Sequence, residues 1–204
     1  MRDTKQAILS TALHLFAADG YEAVSVSQIA GALGMGKSAL YKHFRNKRDI
    51  FDQIVARMEQ MDAAQAAQFG MPEGTPAQMP EQYSGVTPEQ LVQYSMAQFR
   101  YWTEDDFAAS FRKMLTLEQY RSIEMQQLYQ QYLAGGPTGY VADLLRAMGL
   151  SNPRELAASY YGIMFLYYSL YDGAQEISAV TAQLEAALAN WVRQVWETKE
   201  GETP

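Results

Sequence analysis

The chain has 204 residues, 48% of them hydrophobic, no cysteine and a formal net charge of −7. That length holds one domain or two small ones. Absent cysteine excludes disulfides, thiolate metal sites and cysteine catalysis, and no apolar run reaches the roughly 18 residues of a membrane span. The charge is unevenly placed: residues 1–50 hold seven Lys/Arg against four Asp/Glu, net +3, which leaves −10 for the remainder. A basic head on an acidic body suits a protein that meets a polyanion with one end.

In chain order, Asp3 or Thr4 opens a first helix, with Ile8, Leu9, Ala12, Leu13, Leu15 and Phe16 as its apolar stripe and Gly20 as its stop. His14 lies in that stretch. With two histidines in the chain it reads as a packed or partly exposed side chain rather than a metal ligand, and no metal, catalytic residue or cofactor is expected. Ser25 followed by Gln28 has the form of a capping box, so a second helix starts at Val26. Val26, Ile29, Ala30 and Leu33 give it one apolar face, and Gly34 ends it because glycine accepts the left-handed conformation of helix C-termini. A third helix is expected from Lys37 to about Phe44, with Leu40, Tyr41 and Phe44 inward. Two short helices across a tight glycine turn make a helix-turn-helix, whose second helix can enter a DNA major groove. Lys37, Lys42, His43, Arg45, Lys47 and Arg48 cluster here with no acid before Asp49, which suits phosphate contact.

These residues also carry a resemblance. The run Ile29-Ala30, Gly34-Met35, Lys37, Leu40-Tyr41-Lys42-His43-Phe44, Asn46-Lys47 resembles the DNA-binding segment of the TetR family of bacterial transcriptional regulators, over roughly residues 4–55. The resemblance implies an all-α protein: an N-terminal three-helix helix-turn-helix head, residues 1–46, and a helical ligand-binding and dimerisation body, residues 47–204. It further implies backbone contacts from Tyr41 and Lys47 and a connecting helix that swings when ligand binds; Lys42 and Arg45 are expected to add phosphate contacts, and Lys37, Ser38, Ala39 and His43 to make base contacts. Gly36 and Ala39 depart from the Ser/Thr and Thr frequent at those positions. Glycine is an acceptable N-cap, and Ala39 offers only an apolar contact, such as to a thymine methyl.

A rival motif overlies the same stretch. Gly31 to Ser38, GALGMGKS, fits the P-loop pattern G-x-x-x-x-G-K-[ST]. A P-loop needs a buried strand before it, whereas Ser25 and Gln28 cap a helix there.

The connecting helix is expected over 47–69, capped by Asn46 with Asp49 at its N3 position. Residues 70–87 form a Pro/Gly-rich loop, with Pro72, Pro76 and Pro80. Thr87-Pro88-Glu89-Gln90 restarts helix as a capping box with proline at N1. Further helices follow from Pro88 to about Tyr101, after Thr103, from about Ser122 to Leu133, from Thr138 past the Gly135-Gly136-Pro137 break to Met148, from Asn152-Pro153 to about Tyr171, and from about Ser178 to Thr198.

The body holds twelve of the fourteen tyrosines and all three tryptophans. Met96, Phe99, Phe107, Phe111, Met114, Met125, Tyr129, Tyr161, Met164 and Tyr168 fall on four neighbouring helices. Each alone reads as core, and as a group some are expected to line an apolar pocket. All of them except Phe107 are taken as pocket candidates, and the resemblance implies an inducer cavity among the corresponding helices. Arg100, the only basic residue near this set, reads as a surface residue ahead of a partner for an anionic ligand. The stretch 156–171 is apolar nearly all round, and the last helix has a wide apolar stripe. Leu156, Tyr160, Tyr167, Leu184, Leu188, Trp191 and Val195 are therefore expected to form a homodimer interface, as a four-helix bundle between two chains. The combined expectation is a cytoplasmic, homodimeric repressor that binds a palindromic operator in double-stranded DNA and is released by a small-molecule effector. A transcriptional activator, or a regulator that needs no ligand, shares the same head.

Overall fold

The structure is a computed structural model describing residues 4–201. Among these residues there are eleven helices and no strand: α1 (Thr4–Asp19), α2 (Val26–Ala32), α3 (Lys37–Leu40), α4 (Lys47–Gln68), α5 (Pro80–Ser84), α6 (Pro88–Glu104), α7 (Asp106–Glu118), α8 (Ile123–Leu133), α9 (Gly135–Ala147), α10 (Pro153–Gly173) and α11 (Ile177–Gly201). Asp3, the alternative start of α1, lies outside the described residues.

The chain packs as two compact units, Met1–Ala64 with Glu104–Tyr129, and Gln65–Thr103 with Gln130–Pro204. The first contains the three-helix head together with most of α4, α7 and the first part of α8. Its core is Ile8, Leu9, Leu13 and Phe16 of α1, Ile29 of α2, Leu40, Phe44, and Ile50, Phe51, Ile54 and Met58 of α4, all nearly inaccessible to solvent. Their burial from water is the main driving term for this unit. α1 also packs along α7.

Several boundaries are those read from the sequence. Ser25 Oγ accepts from the Gln28 N–H at 3.3 Å, and Gln28 Oε1 accepts from the Ser25 N–H at 2.7 Å, the reciprocal bonds of a capping box. At the other end of α2 the Met35 N–H donates to Ala30 O and the Gly34 N–H to Gly31 O, each at 3.0 Å, with Gly34 at φ +65°. This is a Schellman ending, and it requires the left-handed residue that glycine supplies. Thr87 and Gln90 form the second expected capping box.

Other elements differ. α3 stops at Leu40 instead of Phe44. Beyond it the Lys42 N–H donates to Ala39 O and the His43 N–H to Leu40 O, three-residue spacings that wind the last turn tighter than an α-helix. α7 is capped by Asp105, whose Oδ1 accepts from the N–H groups of Phe107 and Ala108. Thr103 stays inside α6, its hydroxyl donating to Phe99 O at 2.7 Å. α9 begins at Gly135, three residues before the expected start. Pro137 then lies in the first turn, where a missing N–H costs nothing, and the Thr138 N–H donates to Ala134 O. Within the expected loop 70–87 the short helix α5 forms, anchored by Tyr83, which is 1% exposed and donates to Gly74 O at 2.8 Å.

In the second unit α10 packs against both α9 and α11, and α5 against α9. The buried side of α10 is Ala157, Tyr160, Met164 and Tyr168, and α11 answers with Leu184 and Leu188. Phe99 of α6 stacks on Tyr168, with ring centroids 5.3 Å apart, a geometry that adds to the burial of both rings. No helix is long and apolar enough to cross a membrane, among the described residues.

Candidate nucleic-acid interface

The helix-turn-helix of the first unit presents its polar side outward. Leu40 and Phe44 are buried, and this fixes which way α3 and the turn after it face. Lys37, Ser38, Tyr41, Lys42, His43 and Arg45 are exposed, and Ala39 is half-buried. Tyr41, expected to turn inward with Leu40 and Phe44, is 50% exposed and available for contact. Gly36 caps α3 without a side-chain hydrogen bond, so the Lys37 end of the helix stays open. This is an exposed basic surface, with the Arg45 guanidinium 3.6 Å from Asp49 at one end, suited to a phosphate backbone.

α4 holds the surface from behind. Asn46 Oδ1 accepts from the Asp49 N–H at 2.8 Å, as a cap should. Asp49 reaches back one residue further than expected, its Oδ2 accepting from the Arg45 N–H at 2.7 Å. That bond, with a second from Gln53, holds the Asp49 carboxyl below the usual carboxylate range. Arg48 is shared between Asp52 at 2.6 Å and both carboxylate oxygens of Glu124 in α8. The same contact lowers the pKa of Glu124. Arg48 therefore braces α4 against α8 and is not a free cation.

Lys47 is also engaged. Its Nζ donates to Tyr21 O at 2.9 Å and to Glu22 O at 3.4 Å, and sits 4.3 Å over the Tyr21 ring. The Tyr21 ring is flanked edge-on by Phe16 and Phe51, at 5.1 and 5.2 Å. On the opposite side of that turn, Glu118 at the end of α7 accepts from the Tyr21 N–H at 3.0 Å while being 1% exposed. Glu118 carried no signal in the sequence, because nothing in the spacing of residues 21 and 118 shows that they meet. His14 is exposed, with its Nε2 2.8 Å from Asp106 Oδ2, an ion pair when the imidazole is protonated.

The P-loop reading fails on geometry. The residues before GALGMGKS form the capped start of α2 and not a strand, and Gly31 lies inside that helix.

The expected pocket residues divide between the units. Phe111, Met114, Met125 and Tyr129 are buried in the first, and Met96, Phe99, Met164 and Tyr168 in the second, each as core. Phe107 is likewise buried, with the Arg57 guanidinium 4.1 Å from its ring centre. Tyr161 is half-buried, donates to Leu133 O at 3.1 Å and borders an open groove of about 660 Å³ in the second unit. That groove runs between α9 and α10 over Gly139, Ala142, Ala158 and Gly162, with Arg146 and Arg154 at its rim. Arg100 is exposed.

The expected dimer residues need correction in part. Tyr160, Leu184 and Leu188 are wholly buried within the chain's own α10–α11 packing, and cannot form an outer surface. Sequence periodicity cannot tell which apolar stripe of a helix faces its own chain. Leu156, Tyr167, Trp191 and Val195 are half-buried. Trp191 packs on Tyr160 at 4.7 Å and donates to Ser159 Oγ at 2.9 Å. Phe165, Leu166, Leu170 and Ile177 carry the exposed apolar surface of these two helices.

Comparison with known proteins agrees with the head. Residues 8–54 match the family described as bacterial regulatory proteins, tetR family. The HTH-type transcriptional regulator AcrR of Shigella flexneri is 42% identical over 53 residues, 26% of this chain and 25% of that protein. The uncharacterized HTH-type transcriptional regulator YerO of Bacillus subtilis is 26% identical over 195 residues, 88% of this chain and 62% of that protein. The matches thus span less than two thirds of these relatives' length. A protein described as a transcriptional regulator from Saccharomonospora viridis, solved in complex with choline, has the same fold. Its TM-score is 0.63 at 18% identity, covering 95% of this chain and 97% of that one.

Proposed function

We propose that the chain, whose residues 8–54 match the tetR family of bacterial regulatory proteins, is a transcriptional repressor that binds a palindromic operator as a homodimer and is released by a small molecule. The observation that carries the reading is the outward basic surface of α3 and the turn after it, with Leu40 and Phe44 fixing its direction from inside. In this reading Lys42, Arg45 and Tyr41 contact phosphates, and Lys37, Ser38, Ala39 and His43 meet base edges. Lys47 contacts phosphate only if it leaves the Tyr21 carbonyl, so its main part is to hold the turn. Two heads on two half-sites supply the affinity that one four-residue recognition helix lacks.

Release by a ligand needs a site whose occupation favours one head arrangement over another. The groove beside Tyr161 is the candidate. Its volume falls in the range of small-molecule sites, and Arg154 in its lining suits a ligand with an anionic end, while Arg146 is already paired with Asp143 of the same lining. The structural relative solved with choline supports only the general idea that this fold can hold a small molecule. The test is deletion of the gene with transcription read at sites the protein selects from genomic DNA. A repressor predicts that transcription rises there. A fall would favour the activator reading of the same head.

A further inference from the structure

The turn between α1 and α2 is held at both sides of one residue. The Tyr21 N–H donates to Glu118 Oε1 at 3.0 Å, and Tyr21 O accepts from Lys47 Nζ at 2.9 Å. Glu118 is a carboxylate with 1% exposure, partnered by Arg121 Nε at 3.3 Å. Burying a charge is costly unless its bonds are satisfied, so this carboxylate is an expensive way to fix a turn that needs only a neutral acceptor. The approach is close enough to demand glycine beside it: a Cβ on Gly20, at φ +86°, would lie 2.8 Å from Glu118 Oε1. α2 begins five residues after Tyr21, and α3 follows within one tight turn. The orientation of the basic surface therefore depends on this turn, and the turn depends on the last residue of α7.

We propose that Glu118 is a positioning residue for DNA binding: its bond to the Tyr21 N–H ties the helix-turn-helix to the C-terminal end of α7, so that a shift of that end loosens the head's hold on DNA. The inference rests on the DNA-binding reading above. It makes α7 an input to the head separate from α4, which grips the same turn through Lys47. Glu118 touches no DNA in this scheme and acts only through the backbone of Tyr21.

The test uses the full chain and a duplex that the wild-type protein selects from a random pool. Glu118→Ala removes the acceptor. Glu118→Asp keeps the charge but withdraws it by one methylene. Glu118→Gln keeps an oxygen that can accept the same bond. Affinity is read by fluorescence anisotropy, the bond by hydrogen exchange of the Tyr21 amide, and folding by helicity at the same temperature. The Ala and Asp variants are expected to bind about tenfold more weakly, the scale of a typical coupling between sites. Their Tyr21 exchange should be faster, with helicity and salt dependence unchanged because the phosphate contacts remain. The Gln variant should stay within about threefold of wild type, since it retains the acceptor. Wild-type affinity in an Ala or Asp variant whose Tyr21 amide exchanges fast would overturn the proposal. So would a Gln variant as weak as the Ala one, because that would mean packing or charge, and not this bond, sets affinity. If the Ala variant does not fold, the Asp and Gln pair decides. A wild-type protein that selects no duplex would sink the underlying DNA-binding reading instead, an outcome visible before any variant is made.

Discussion

Lys42 and Lys47 lie five residues apart in one basic run, and the structure gives them different work. Lys42 is exposed, whereas the Lys47 ammonium spans the Tyr21 and Glu22 carbonyls and covers the Tyr21 ring. Lys42→Ala should therefore leave stability within about 0.5 kcal/mol and reduce the dependence of log affinity on log salt by roughly one. Lys47→Ala should cost stability on the order of 1 kcal/mol, the net worth of a hydrogen bond to a charged group in a part-exposed place. Urea unfolding and salt titration of both variants separate the roles. Two equal salt-slope losses with no stability change would return Lys47 to the phosphates. The basic run was legible in the sequence because charge survives in one dimension. The partners of Lys47 and Glu118 were not, since they lie 26 and 97 residues away along the chain and such contacts leave no local pattern.

Elements with their own chemical punctuation were read well. Ser25 with Gln28 and Thr87 with Gln90 form the bonds their spacing implies, because a capping box is closed by residues three apart. Gly34 is the corresponding stop. Its φ of +65° strains any residue with a Cβ, though nothing lies within 4 Å of where that Cβ would be. Gly34→Ala should thus destabilise the protein by about 1–2 kcal/mol through backbone strain alone, seen as a lower urea midpoint with unchanged slope. An unshifted midpoint would show that the Schellman ending can relax without cost. Where tertiary contacts decided, the sequence misled. α5 lies in a stretch that reads as loop because of its prolines, yet one buried tyrosine fixes it. α3 was expected to reach Phe44, yet the chain tightens after Leu40 while still delivering Phe44 to the core. Gly135-Gly136-Pro137 reads as a break, but in a first turn neither glycine nor proline gives up a hydrogen bond it would have made.

Charge divides the chain into a basic head and an acidic, aromatic-rich remainder. The expected interface residues show the limit of that reading. Tyr160, Leu184 and Leu188 close the chain's own core, and Phe165, Leu166 and Leu170 are left on the outside of α10. Three large apolar side chains exposed within six residues on one helix are the kind of patch that marks an association surface. The double variant Leu166→Glu, Leu170→Glu is expected to give a folded monomer by light scattering and to lose affinity for a palindrome while retaining weak binding to a half-site. Leu184→Glu, in contrast, should unfold the second unit by burying an unpaired charge. A double variant that remains the same size as wild type would place any self-association elsewhere.

The most direct measurement is fluorescence anisotropy of duplex DNA from the gene's own upstream region, titrated with the full chain at two salt concentrations against random duplex as competitor. A sequence-specific regulator predicts saturable binding that outcompetes random DNA by about a thousandfold or more and weakens steeply with salt. Binding that random duplex displaces equally, both for this region and for fragments selected genome-wide, would contradict the assignment of α3 and its following turn as a sequence-reading surface.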